Sequence, residues 1–152
     1  LKADIIEPAK AKGYETFWLV GVSMGGLGAL MYTRQHPKDV EGVCLISPFL
    51  GYDEIISEIA DAGGVRKWDP GEYDPNKDWQ RMFWNWLKQC ADGENPLPRI
   101  YLGYGTEDSF ATAHGLLGDI LPRDHVFTTS GGHTPEVMKK LWCIFLEKEL
   151  LK

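Results

Sequence analysis

The sequence has few cysteines and no long apolar run. Its three cysteines are odd in number and far apart, at Cys44, Cys90 and Cys143, which favours buried free thiols over a disulfide framework. No apolar stretch approaches the roughly 20 residues of a membrane-spanning helix, so we expect no membrane span. No signal peptide is recognisable. We therefore expect a cytoplasmic protein, although the chain begins with Leu1 rather than methionine, which weakens that expectation.

Clusters of basic residues are also absent. The formal net charge is −6, so we expect neither nucleic acid nor an anionic membrane as a partner. No C-x-x-C or paired-histidine spacing indicates a metal site. Neither the Gly-Lys-Ser/Thr of a phosphate-binding loop nor a G-x-G-x-x-G occurs, and we expect no cofactor. The chain does have 152 residues, 43% of them apolar, which is enough for one domain with a hydrophobic core.

The most informative stretch reads G-x-S-x-G, from Gly21 to Gly25. An apolar, β-prone run precedes it, and a helix-like stretch follows it. A serine raised on a sharp strand-to-helix turn needs glycines nearby, and we expect Gly21 and Gly25 to remove Cβ clashes there. We also expect Gly25, Gly26 and Gly28 to permit close packing of the helix on the strand. An ordinary Gly-rich turn is the alternative interpretation.

Helical and apolar patterns alternate along the rest of the chain. We predict helices over 2–12, 26–36, 53–62, 78–90, 110–117 and from Thr134 onwards, and strands over 15–20, 42–46, 98–104 and 124–129. This alternation predicts an α/β fold, with a parallel sheet covered by helices on both faces. We treat residues 1–152 as a single domain.

The connection 51–98 is too long for a simple loop and should have structure of its own. Its second helix carries an apolar stripe typical of a core-facing helix: Trp79, Met82, Phe83, Trp86 and Leu87. Trp84 lies off this stripe, and we predict a pocket or interface contact for it. Together with Trp68, the tryptophans of this segment suggest an apolar substrate face, although core packing explains most of them as well.

Three side chains of complementary chemistry follow predicted strands: Ser23, Asp108 and His133. The carboxyl ends of parallel strands meet at one edge of a sheet, so we expect these side chains to meet. A serine hydroxyl needs a base to become a nucleophile, and the base needs a partner to orient it. The spacing therefore predicts a Ser-His-Asp catalytic triad.

Each of these residues has a simpler interpretation. Asp108 could be only a helix N-cap, with Glu107 as the nearest alternative acid, and His133 could be a surface-loop histidine. The other histidines are weaker candidates because none follows the carboxyl end of a strand: His36, His114 and His125.

The sequence resembles the α/β-hydrolase superfamily, in its esterase and lipase-like part. The resemblance rests on the Gly21–Gly25 motif, on Asp108 after Gly105-Thr106-Glu107 and on His133 after Gly131-Gly132. It implies that the whole chain corresponds to the C-terminal half of that fold, whose first strands are absent. It also implies that residues 51–98 occupy the place of a lid or cap.

The resemblance implies a serine hydrolase that cleaves small-molecule carboxylic esters through an acyl-enzyme. Ser23 would be the nucleophile, His133 the base and Asp108 its partner, while the Met24 N–H would supply half of the oxyanion hole. The family's other donor comes from a loop after an earlier strand, and nothing before Leu1 supplies it. We therefore expect either a fragment of a longer protein or completion of the site by a partner.

Several alternatives remain open. A thioesterase, an amidase or an acyltransferase would use the same triad, and a non-catalytic fragment or binding module would lack half of the oxyanion hole. Four strands alone would also leave the strand over 15–20 as an exposed apolar edge. We expect this edge to be paired, most simply with the same strand of a second copy in a homodimer.

Overall fold

Four parallel strands form the centre of the molecule. The structure is a computed structural model that describes residues 1–95 and 98–148. Its strands are β1 (Phe17–Val22), β2 (Val40–Ile46), β3 (Arg99–Gly105) and β4 (Val126–Thr129). They lie side by side in chain order, and each neighbouring pair is parallel. The predicted α/β fold is confirmed.

Helices connect the strands. They are α1 (Glu7–Lys10), α2 (Met24–Gln35), α3 (Asp53–Asp61), α4 (Trp79–Ala91), α5 (Ala111–Gly118) and α6 (Pro135–Glu147). A π-helical turn, Lys2–Ile6, leads into α1, and 3₁₀ turns cover Pro37–Asp39 and Arg123–His125. The side chain of Thr134 caps α6 by accepting a hydrogen bond from the Val137 amide, as a threonine at this position can.

Two boundaries near the predicted serine differ from the prediction. β1 continues to Val22, which pairs with Ile46 of β2, and α2 begins at Met24 rather than at residue 26. The turn between β1 and α2 is therefore a single residue, Ser23, because β1 remains paired with β2 as far as Val22. β4 begins at Val126 rather than at residue 124, because the preceding residues form a 3₁₀ turn.

The two faces of the sheet are buried by different helices. On one face, α2, α5 and the two helices of the insert share one apolar cluster, which includes Leu30, Leu45 and Phe83. On the other face, α6 packs Leu141 and Phe145 against the strands. Burial on both sides explains why the strands are apolar on both faces, as expected of a parallel sheet between helices.

The insert between β2 and β3 contributes to the core, and this corrects one prediction. Trp84 is fully buried, and its indole N–H donates to the Leu50 carbonyl at 2.9 Å. The prediction of a pocket or interface contact for Trp84 is therefore wrong, because α4 is enclosed on more than its main apolar stripe. Trp68 is also buried, whereas Trp79 and Trp86 are only partly buried. The role of the insert as a lid stays a prediction.

The outer edge of the sheet is formed by β1. Within the described residues β1 pairs only with β2, and the side chains of Val20 and Val22 are 47% and 42% exposed. A cavity of about 510 Å³ lies between this edge and α2. Pairing with a second copy stays a prediction, which solution scattering of a monomer would contradict.

None of the helices within 1–95 and 98–148 combines the length and the apolar character that a membrane crossing demands.

Candidate active site

Ser23 forms the turn between β1 and α2, with φ of 50° and ψ of −120°. Its N–H donates to the Ile46 carbonyl at 3.1 Å, and its carbonyl accepts hydrogen bonds from the amides of Gly26 and Phe49, each at 2.9 Å. A positive φ is costly for a residue with a Cβ, so it persists only where neighbouring contacts hold it. The Ser23 side chain is thereby held above the carboxyl end of the sheet.

Glycine is required at two positions around this turn. A Cβ at Gly21 would lie 2.5 Å from the Gly25 carbonyl oxygen, and one at Gly26 would lie 2.6 Å from Cβ of Pro48. The prediction for Gly21 is thus confirmed. It is wrong for Gly25, because a Cβ there would meet no atom within 4 Å. Close packing is also confined to Gly26, since Gly28 is equally open.

The structure brings Ser23, His133 and Asp108 together. Nε2 of His133 lies 3.0 Å from the Ser23 hydroxyl, and Nδ1 lies 2.9 Å and 3.1 Å from the two carboxylate oxygens of Asp108. An ionised carboxylate can only accept, so Nδ1 carries the proton and Nε2 remains an acceptor for the serine hydroxyl. The imidazole therefore presents its free lone pair to Ser23.

Asp108 is held in its ionised form. Its side chain is fully buried, and burial alone would raise its pKa. Hydrogen bonds from the Phe110 amide and from His133, together with the nearby Ser47 hydroxyl, outweigh burial and keep the pKa of Asp108 below its ordinary value. The bond to the Phe110 amide, 2.9 Å long, closes a turn just before α5, but Asp108 is not the N-cap of that helix, because α5 begins at Ala111 and Phe110 occupies the N-cap position.

Glu107, the alternative acid, points elsewhere. It is exposed, and its carboxylate accepts a hydrogen bond from the Gly131 amide at 3.2 Å. Its own amide donates to the Gly131 carbonyl at 3.0 Å. Glu107 thus joins the loop after β3 to the loop after β4, and of the two candidate acids only Asp108 bonds to His133.

These two loops touch backbone to backbone. A Cβ at Gly105 would lie 2.1 Å from the carbonyl oxygen of Gly131, so no other residue fits at position 105 without displacing the loop. Gly131 itself has φ of 117°, a conformation that favours glycine. Gly131, the first glycine of the pair before His133, therefore has a structural reason that the sequence pattern did not reveal.

Aromatic rings line one side of the candidate site, and sequence reasoning missed them. The Phe110 ring stands edge-on to the His133 ring, with centroids 5.2 Å apart, and contacts Phe49 at 5.6 Å. Tyr52 continues the row at 5.3 Å from Phe49. Phe49 and Tyr52 follow β2 and Phe110 follows β3, so the rule that site residues collect at strand ends would have found them.

His114 was also missed, because it lies within a helix rather than after a strand. It is fully buried in α5, and Nε2 donates to the Pro48 carbonyl at 2.8 Å. Burial lowers the pKa of His114, which keeps the ring neutral. Among the described residues Nδ1 of His114 and the hydroxyl of buried Ser47 make no hydrogen bond. Through its hydrogen bond to Pro48, His114 holds the segment that follows β2 in place.

Met24 is the first residue of α2, directly after Ser23. Its amide has no acceptor among the backbone and side-chain groups that the structure describes, as is usual for the first N–H groups of a helix. The helix dipole adds partial positive charge at this point. The geometry therefore offers one free donor beside the serine hydroxyl.

No group of three or more His, Cys, Asp or Glu side chains that could hold a metal ion occurs within the described ranges. His36 and His125 lie away from the Ser23 site: the His36 ring packs against Tyr32 at an interplanar angle of 48°, and Nδ1 of His125 donates a hydrogen bond to the Ile100 carbonyl.

A parallel sheet with a serine turn, a histidine and an aspartate at three strand ends defines the α/β-hydrolase class of fold. Solved structures agree. An α/β-hydrolase enzyme from a sediment metagenome of the Mar Chica lagoon, Morocco, is 19% identical over 95% of this chain and 67% of its own, with a TM-score of 0.50. S-formylglutathione hydrolase from Staphylococcus aureus is 13% identical over 84% of this chain and 50% of its own, with a TM-score of 0.51.

A monoacylglycerol lipase from Paleococcus ferrophilus is 18% identical over 95% of this chain and 72% of its own, with a TM-score of 0.55. At such identities the likeness concerns the fold, and the chain spans between half and about seven tenths of these three proteins. The model of a family described as "Putative esterase" matches residues 6–121. The chain belongs to this esterase family. Among curated proteins none matches it.

Proposed function

We propose that this protein is a serine hydrolase that cleaves carboxylic esters through an acyl-enzyme. Membership of the esterase family supports ester hydrolysis. The observation that carries the finer proposal is the continuous chain of hydrogen bonds from Ser23 through His133 to Asp108. These three groups have the roles and the contacts that an activated serine needs.

In the first step the Ser23 oxygen attacks the acyl carbon while its proton passes to Nε2 of His133. The ring then carries a positive charge, which the buried Asp108 carboxylate stabilises through Nδ1. Because the pKa of Asp108 is low, the carboxylate does not take the proton itself. Collapse of the tetrahedral intermediate transfers the proton from Nε2 to the leaving alcohol and leaves the acyl group on Ser23.

The negative oxygen of that intermediate needs donors. The Met24 N–H is free and lies at the start of α2, so it would donate to this oxygen. A second donor, expected from the family resemblance, is not assigned to any described residue. One missing donor typically costs about 10²- to 10³-fold in turnover.

Water completes the cycle. His133 removes a proton from a water molecule, the hydroxide attacks the acyl carbon, and the proton returns to the Ser23 oxygen as the acid leaves. The side chain of His133 is 25% exposed, so water can reach it, whereas Asp108 stays dry. This difference in exposure suits a histidine that exchanges protons with substrate and water, and an aspartate that stays negatively charged.

A fluorophosphonate probe tests the proposal directly. We expect mass spectrometry to find the adduct on Ser23, and hydrolysis of p-nitrophenyl acetate to stop in the labelled protein. Labelling on another residue, or none, would contradict the assignment of the nucleophile. A panel of matched oxygen esters, thioesters, amides and acceptor alcohols then separates ester hydrolysis from the thioesterase, amidase and acyltransferase alternatives.

A further inference from the structure

A groove adjoins Phe110, whose ring neighbours that of His133. It consists of two adjoining cavities of about 220 and 490 Å³ that share Gly51, Asp53 and Phe110 in their walls. Phe110 separates the groove from His133, the group that would protonate the leaving alcohol, with ring centroids 5.2 Å apart. The alcohol part of a substrate is therefore the part that would lie in it.

The walls of the wider cavity are aromatic. Phe49, Tyr52 and Phe110 all line it, and each ring meets the next in an edge-on arrangement. Tyr52 is largely exposed and also faces Trp79 at 6.5 Å. Faces of aromatic rings carry partial negative charge and attract cations, including quaternary ammonium groups.

The charged side chains of the groove are all acidic. Asp53 lines both cavities and Glu54 lines the wider one, and no lysine, arginine or histidine lines either. Neither carboxylate has an ion pair or a side-chain hydrogen bond within residues 1–95 and 98–148, whereas Glu58, on the same helix, pairs with Arg81. Two unpaired carboxylates beside an aromatic lining, in which Tyr52 is the exposed ring, favour a positively charged ligand over a neutral or anionic one.

Both carboxylates also have a structural role, because they occupy the first turn of α3, where negative charge stabilises a helix. That role accounts for their charge but not for the three aromatic rings that line the same cavity. It also predicts an effect on stability alone, which the experiment below separates from ligand choice.

We propose that this groove selects esters whose alcohol carries a quaternary or protonated ammonium group. Phe49, Tyr52 and Phe110 would face the cation. Asp53 and Glu54 would attract it through their negative charge. The inference rests on the proposed ester hydrolysis for its substrate. Recognition of the cation is a separate property of the groove.

The test compares two pairs of the same shape that differ only in charge. Choline and 3,3-dimethylbutan-1-ol have the same branched end, with nitrogen in one and carbon in the other. Binding of the two alcohols is measured by calorimetric titration of the full chain, and kcat/KM is measured for their acetate esters. We expect a preference of about tenfold for the cation in both assays, reduced at high ionic strength because Asp53 and Glu54 are exposed.

Variants locate the effect. The double substitution Asp53→Asn and Glu54→Gln should lower the cation-to-neutral ratio several-fold, and Tyr52→Ser should lower it as well. Asp61→Asn, at the far end of the same helix and outside the groove, is the matched control and should leave the ratio unchanged. A double variant with lower thermal stability but the same ratio would leave the carboxylates only their helix-stabilising role and overturn the proposal.

The two proposals fail separately. Equal binding of choline and its neutral analogue, with both esters cleaved at equal rates, would overturn the cation groove and leave ester hydrolysis standing. Preferential choline binding without cleavage of either ester would overturn ester hydrolysis and support the groove.

Discussion

The turns at Ser23 and Ser47 have similar backbone φ angles but differ in the surroundings of the serine hydroxyl. They follow the neighbouring strands β1 and β2, and each has a positive φ, of 50° and 45°. Each amide donates to the next strand, Ser23 to Ile46 and Ser47 to Gly103. Yet Ser23 is partly exposed and bonded to His133, whereas Ser47 is fully buried and its hydroxyl has no partner among the described groups.

The difference shows that a strained backbone does not by itself define a nucleophile. After Ser23 the helix α2 begins at once and presents free N–H groups in its first turn. The Ser23 hydroxyl faces His133, the proposed base. After Ser47 comes Pro48, and the chain reaches its next helix only at Asp53. Access, a base and a helix terminus distinguish the two serines, and each can be altered separately.

The largest expected effect comes from removing the Ser23 hydroxyl. Ser23→Ala should lower kcat for p-nitrophenyl acetate by roughly 10⁴- to 10⁶-fold, the range found when a triad nucleophile is removed. Ser47→Ala is the matched control and should lose no more than about tenfold, because the Ser47 hydroxyl does not contact His133 and makes no full hydrogen bond, although it lies close enough to Asp108 to help lower the pKa of that carboxyl. Equal losses in both variants would remove the functional distinction between the two turns.

A smaller but still large effect is expected at the acid. Asp108→Asn should lower kcat by about 10⁴-fold, because an amide in place of the carboxylate no longer fixes the tautomer of His133 or stabilises its charged form. Glu107→Gln, one residue earlier and exposed, should change kcat far less. Steady-state rates that rank the two variants in the opposite order would assign the acid role to Glu107.

Alanine substitutions at two glycines of α2 should change the free energy of unfolding in opposite directions. Gly26→Ala places a Cβ 2.6 Å from Pro48 and should lower the free energy of unfolding by about 1–3 kcal/mol. Gly28→Ala meets no atom within 4 Å and should raise it by about 0.5–1 kcal/mol through helix propensity. Urea unfolding of both variants measures these changes in the free energy of unfolding. Changes of the same sign would contradict the packing of α2 on the Ser47 turn.

The smallest effect concerns the pH dependence of stability. The pKa of His114 is lowered below 6.5 by burial, so between that lowered pKa and 6.5 the unfolded chain binds a proton that the folded chain does not. Stability should therefore fall as pH drops through this window, by up to about 1.4 kcal/mol per pH unit. His114→Gln should lack this contribution while keeping a donor for Pro48. Unfolding curves from pH 7 downwards that run parallel in both proteins would contradict it.

The sequence predicted those features that follow from local pattern and sheet geometry. The alternation of elements predicted the sheet, and the rule about strand ends placed Ser23, Asp108 and His133 at one edge. It could not assign Gly26 rather than Gly25 to the tight contact, because that depends on where Pro48 lies. Trp84 and His114 lie within helices whose surroundings are set by long-range packing, which periodicity alone does not describe.

Gly105 and Gly131 have a consequence for how this protein can change over evolution. Asp108 and His133 are carried by two loops whose main chains leave no space between them, so neither loop can shift without the other. The row from Tyr52 to Phe110, by contrast, is made of side chains, and Tyr52 at its end is exposed. On the proposed function, preference for the alcohol would diversify by single substitutions there, while the contact between His133 and Asp108 would be inherited intact.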